Sequence, residues 1–287
     1  MQSDGIVVDD FMSSLPDTSH TTAAAAAQAP AAANPGVVLV PKNLDLDFTA
    51  DVKQVKYTDM VIKNAKGHLI IRNDSILLRE TGFDLIDAPI EMDAVYTTLS
   101  AQKAFFNYHI SATDFDVQKA YKNIKLFHDI ASSAEHAEGL ISLDYQLNGN
   151  LNSSMMPVYT SLKGGGVVSA KKIKMHGFKL FNAIGRETGK DEVGGEPDVS
   201  EVNIKSTIAN NLITIARTKI KLAGFHARFE GQVSFDKAID MKFRLGLPPG
   251  GLVGIPMTIT GSEDNPKIHV GKGQDEDPLK EETDKEN

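Results

Sequence analysis

The stretch FEGQVSFDKAIDMKFRLGL, Phe229–Leu247, decides the fold. From Ile239 every second residue is apolar: Ile239, Met241, Phe243, Leu245 and Leu247 alternate with Asp240, Lys242, Arg244 and Gly246. Successive side chains on a strand point to opposite faces, so this run has one greasy side and one wet side. On a helix the same residues would scatter around the circumference.

The pattern extends in both directions. Leu44, Leu46 and Phe48 alternate with Asp45, Asp47 and Thr49, and Ile141, Leu143, Tyr145 and Leu147 alternate with Ser142, Asp144, Gln146 and Asn148. Val202, Ile204 and Ile208 continue it, as do Phe225, Ala227 and Phe229. Asn73-Asp74 and Asn210-Asn211 separate neighbouring runs and read as hairpin turns, because Asn and Asp tolerate positive φ. Ten to twelve strands, mostly joined as meanders, follow from about this spacing. The expected fold is mainly β: a long curved antiparallel sheet or groove with two amphipathic helices.

Those helices are Asp116–Ala134, where Val117, Tyr121, Ile124, Phe127 (or His128) and Ala131 fall at helical spacing, and Phe178–Glu187, with Phe178, Phe181 and Ile184 on one side. Thr113 with Asp116 resembles a capping arrangement at the start of the first. A weaker turn is expected over Met155–Leu162. Two helices are few for so many apolar strand faces. GLISLDYQLNG (Gly139–Gly149) and FEGQVSFD (Phe229–Asp236) each pair a glycine with an alternating run, which suggests a repeated strand unit.

Residues 1–43 include TTAAAAAQAPAAA and read as a disordered Ala/Pro-rich linker. Residues 272–287, KGQDEDPLKEETDKEN, read as a disordered acidic tail. The folded span is 44–271.

Composition narrows the function classes. Thirty basic against 38 acidic side chains give a formal charge of −8, which argues against nucleic acid as a ligand. There are no cysteines, so disulfides and thiolate metal sites are excluded. Met1–Ser14 carries Asp4, Asp9 and Asp10 where a secretory signal needs basic residues, and no run of about 18 apolar residues marks a membrane helix.

Catalytic motifs are missing. Lys163-Gly-Gly-Gly lacks the GK[ST] of a phosphate loop and runs into β-branched residues, so a glycine turn entering a strand over Val167–Met175 is expected there. His128, Asp129, Glu135 and His136 gather near the end of the first helix, but the histidines stand eight apart and off a common face. Thr113, Asp114 and Asp116 lack the ligand series of a calcium loop. Lys163, Lys171, Lys172, Lys174 and Lys179 fit a strand's wet face better than a headgroup site. Neither GxSxG nor HExxH occurs. A non-enzymatic role without cofactor or metal is expected.

TDFDVQKAY (Thr113–Tyr121) with EGLISLDYQLNGNL (Glu138–Leu151), SLKGGGVVSAKKIKMHGFKLFNAIG (Ser161–Gly185), FEGQVSFDKAIDMKFRLGLP (Phe229–Pro248) and IPMTITGSEDNPKIHV (Ile255–Val270) together resemble the C-terminal domain of the AsmA-like family, relatives of the TamB and YhdP groups. The resemblance implies a periplasmic β-groove, tethered to the inner membrane by a segment not present in this chain. It also implies phospholipid acyl chains as ligands, other envelope proteins as partners, and a part in outer-membrane assembly. Alternation nominates Ile141, Leu143, Tyr145, Leu147, Phe229, Val233, Phe235, Met241, Phe243 and Leu245 as groove residues. The alternatives are a closed β-sandwich acting as an envelope scaffold or interaction module and, more remotely, a hydrolase whose groups meet only in the fold. An outer-membrane barrel is disfavoured: the strands lack aromatic girdles and there is no Trp.

Overall fold

The alternating runs fold as strands. A computed structural model describes residues 2–3, 6–7, 36–57, 60–124, 127–128, 131–248, 250–271 and 277–280. The strands are β1 (Gln2–Ser3), β2 (Ile6–Val7), β3 (Asp45–Tyr57), β4 (Met60–Arg72), β5 (Ser75–Leu85), β6 (Ala88–Ser100), β7 (Lys103–Asp116) and β8 (Ala137–Leu151). They continue as β9 (Lys163–Met175), β10 (Asp198–Ala209), β11 (Leu212–Leu222), β12 (Phe225–Ser234), β13 (Ala238–Gly246), β14 (Gly254–Ser262) and β15 (Asn265–Val270). From β3 to β15 the hydrogen-bonded order follows the chain as a linear path, while β1 and β2 pair parallel with β3. The protein is mainly β, with an antiparallel meander not closed into a barrel.

Asn73 and Asp74 take φ of 51° and 60°, and Asn210 and Asn211 take 53° and 64°, which makes them the tight hairpin turns their side chains suggest. Ile86-Asp87 and Ala223-Gly224 use the same positive φ with only one turn-forming residue each; Ile86 at 50° is strained by its β-branch.

Helices are α1 (Val117–Asn123), α2 (Lys179–Thr188) and the single turn α3 (Asp191–Gly194). Asp116 caps α1, its carboxylate accepting from the Lys119 N–H at 2.9 Å. The helix expected over 116–134 is interrupted at Ile124, which turns extended just after Asn123 Nδ2 donates to the Lys119 carbonyl at 2.7 Å. Phe127 and His128 are helical again, with the His128 N–H on the Ile124 carbonyl and the Ala131 N–H on the Phe127 carbonyl, both at 2.9 Å, and the 3₁₀ segment Ser132–His136 comes after them. Asp129 lies outside the described residues. In the Met155–Leu162 stretch, Tyr159–Ser161 forms one 3₁₀ turn.

The chain divides into two compact units: unit 1 holds residues up to Ile110 plus Gln146–Leu162, and unit 2 holds Ser111–Tyr145 plus everything from Lys163. Strands β7 and β8 contribute residues to both. In unit 1 the buried strand residues include Val52, Ile71, Ala88, Ile90, Ala104, Phe106 and Leu147, Leu162 is buried with them, and a β-carbon on Gly149 would fall 2.7 Å from Leu162. Other apolar strand residues, including Leu69, Leu77 and Leu78, are only half-buried. Part of the expected linker packs here. Val37 and Val40 are buried, the Val37 N–H donates to the Ala101 carbonyl, and Tyr96 Oη donates to the Val38 carbonyl at 2.7 Å. The Ala-rich run 21–33 lies outside the described residues.

Candidate functional site

Unit 2 carries an apolar cavity of about 390 Å³. That size lies within the ~300–1,000 Å³ of ordinary ligand pockets. Its strand wall comes from β8 to β13 through Ile141, Leu143, Val168, Ile173, Val199, Ile204, Ile220, Phe229, Met241 and Phe243. Non-strand segments complete it: Val117 of α1, Phe127, Ala131 and Ala134, and Phe178, Leu180 and Phe181 at the start of α2. Ser133 and Glu263 are the polar members of the lining.

A plain two-residue alternation would not put all these strand residues on one face. Ile215 pairs with Gly231 and Thr218 with Phe229, so three steps of β11 face two of β12 and one extra residue bulges. The bulge flips the inward parity, and both Ile215 and Ile220 reach the cavity. In β10, Glu201 takes φ of 58°, and Val199 and Val202 line the cavity from its two sides. In β9, Lys171 and Lys172 are both exposed between Val168 and Ile173. The repeated glycine theme has a structural counterpart. Gly139 and Gly231 take φ of 143° and 148°, and a β-carbon on either would press on the next strand's backbone.

Of the residues nominated by alternation, Ile141, Leu143, Phe229, Val233, Met241 and Phe243 come together in the cavity wall. The other four do not line it. Tyr145 is turned to a partner: its hydroxyl hydrogen-bonds Ser206 Oγ at 2.8 Å, and burial raises its pKa against the opposing pull of that bond. Leu147 belongs to the core of unit 1, because β8 is 15 residues long and leaves unit 2 after Tyr145. Leu245 is fully buried, and so are Leu222 and Ala227 near it on the paired strands; that end of the face is solid packing. Phe235 is half-buried at the β12–β13 turn, with its N–H on the Asn211 carbonyl. Ile204 stood in the alternating run with Val202 but was not nominated for the groove, and Ile173, Ile220 and Val199 carried no alternation signal at all. Strand propensity marked these three, but the parity breaks hid the side they share.

Charged groups tie the non-strand segments in place. His176 Nε2 pairs with Glu138 at 2.8 Å and Nδ1 with Glu196 at 3.2 Å. Glu138 first, then Glu196, raises the His176 pKa, and His176 lowers that of Glu196. The His136 ring lies 5.6 Å from that of Phe178, and its Nδ1 meets the His176 carbonyl at 3.0 Å. Lys179, at the start of α2, pairs with Asp264 at 3.2 Å and lowers its pKa.

The other sequence candidates resolve locally. Gly164, Gly165 and Gly166 lie inside β9 opposite Ile208, Thr207 and Ser206, and a β-carbon on Gly166 would sit 2.5 Å from the Tyr145 ring. Lys172 and Lys174 face Asp198 and Glu196. Among the described residues no cluster of three or more His, Asp or Glu side chains is placed to hold a metal ion, and no helix is long and apolar enough to cross a membrane.

Comparison with family models, with curated proteins and with solved structures finds no match to this chain.

Proposed function

We propose that unit 2 holds the hydrocarbon chain of an amphiphile, a phospholipid acyl chain or a free fatty acid, and does no chemistry on it. The observation that carries this reading is the cavity: about 390 Å³ bounded almost wholly by aliphatic and phenyl side chains. Each methylene moved from water into such surroundings contributes about 0.8 kcal/mol, so a chain of modest length is held without any directed polar contact. A wall lacking convergent polar groups binds by length and girth, not by headgroup. The AsmA-like resemblance supports the same role in the cell envelope, with the phospholipid passed on towards outer-membrane assembly.

Native mass spectrometry of protein purified without detergent tests this. The expected result is a bound species heavier by one lipid, lost in Leu143→Asp, a half-buried wall position, while the melting temperature changes little. Bare wild-type protein in repeated preparations, with added fatty acid also failing to bind, overturns the proposal.

A further inference from the structure

On β13, Arg244 points away from Met241, Phe243 and Leu245 and is still only 1% exposed. Burying a guanidinium demands partners for its donors. Nη1 donates to the Gly251 carbonyl at 2.8 Å and Nη2 to the Leu252 carbonyl at 3.0 Å, both in the turn that follows the strand. Room for the group depends on Gly254, where a β-carbon would lie 2.4 Å from Arg244 Cζ. Nε donates to Asp277 Oδ2 at 2.6 Å, and that carboxylate is buried as deeply as the arginine.

Asp277 comes from the tail that composition marks as disordered. Its Oδ1 accepts from the Leu279 N–H at 3.1 Å and its carbonyl from the Lys280 N–H at 3.3 Å. Asp-Pro favours this turn, because proline presets φ and the aspartate side chain caps the loop. The turn frees Oδ2 for Arg244. Two further arginines from adjacent strands read the turn's backbone: Arg217 Nη2 donates to the Pro278 carbonyl at 3.1 Å and Arg228 Nη1 to the Leu279 carbonyl at 3.3 Å. Leu279 itself is 1% exposed. Segment 277–280 adds no strand to the sheet.

We propose that the outer face of β11–β13 is a peptide-docking site for an Asp-Pro-Leu turn, filled in cis by this chain's own tail and open to the same motif in trans. Recognition is split as peptide sites split it: one carboxylate on a buried arginine, backbone carbonyls on two flanking arginines, and one leucine buried at the turn. An emptied socket would take the Asp277 carboxylate away from the buried Arg244, so the site favours an acidic replacement. This inference stands apart from the cavity, which opens on the opposite side of β13.

The test uses the full chain carrying Leu279→Asp, which ejects the tail and keeps all three arginines. A fluorescent peptide of residues 273–284 is titrated by anisotropy. The expected result is saturable one-to-one binding to this variant. Binding to wild type should be at least about tenfold weaker, because a short tether gives its own tail an effective concentration in the millimolar range. A peptide with asparagine in place of Asp277 should bind the variant at least about tenfold more weakly than the native peptide. No saturable binding to the folded variant, or equal binding of the asparagine peptide, overturns the proposal. Hydrogen exchange on wild type decides independently of that variant's folding. A docked ligand opens locally, so the Leu279 amide exchanges much faster than those of Met241 and Phe243; exchange at the same rate as β13 makes the tail plain core and sinks the idea.

Discussion

The two halves of β8 meet different surroundings. At one end Ile141 and Leu143 face an open apolar cavity; a few residues on, with the same alternation, Leu147 is packed almost without exposure in unit 1. The strand chemistry is the same, and what differs is its company. In unit 2, Val117 of α1, then Phe127, Ala131 and Ala134, and the Phe178–Phe181 turn of α2 line the space over the strand face. In unit 1 Phe106, Leu147 and Leu162 are buried, while Leu69, Leu77 and Leu78 stay half-buried. Apolar alternation therefore makes a surface, and the sparse non-strand segments decide whether it becomes core or container.

Truncation at the two packed positions sharpens this contrast most. Leu147→Ala and Leu245→Ala should each cost about 2–5 kcal/mol in denaturant unfolding, as fully buried leucines do. Neither should change lipid occupancy by native mass spectrometry. Loss of lipid in Leu147→Ala would break the division between the units.

A smaller stability effect is expected in the container itself. Val202→Phe adds volume at a half-buried wall position and should shift stability by less than about 1.5 kcal/mol while displacing the ligand. A large destabilisation with lipid retained would mean that Val202 packs against protein.

The smallest effect is a pH window on the tie at His176. His176 has its pKa raised above its ordinary 6.5, so its contribution is full below that value and fades as pH rises through the folded pKa. Glu196 has its pKa lowered below 4.5, so its contribution holds above that value and fades as pH falls through the folded pKa. The melting-temperature difference between wild type and His176→Gln should therefore peak between pH 4.5 and 6.5. A flat difference across that range would remove the ion pairs from the account.

Much of this architecture was legible from residues. The Asn-Asp and Asn-Asn turns, the meander, the Asp116 cap and the start of α2 at Phe178 all follow from local chemistry that the fold leaves intact. The wall of the cavity was legible along β8, β12 and β13, where alternation is unbroken, and along β10 at Val202 and Ile204. In β11 a bulge adds one residue, and a strict period of two then assigns the next stretch to the wrong face. In β10 Glu201 at positive φ gives no warning, since glutamate is not a residue that favours it. The break at Ile124 in the helix expected over 116–134 leaves the helical spacing of the apolar residues intact, so spacing does not reveal it. Asp277–Lys280 was hidden for a different reason. One leucine in a run of charges cannot signal burial, and its partner Arg244 sits in the wet register of its own strand.

Photolabelling with a fatty acid carrying a diazirine in mid-chain tests the cavity most directly. Label should concentrate on peptides spanning Ile141–Leu143, Ile173–Phe181, Phe229–Val233 and Met241–Phe243, and unlabelled fatty acid should compete it away. Labelling that does not saturate, or that spreads over the half-buried strands of unit 1 instead, would contradict a hydrocarbon-holding role for unit 2.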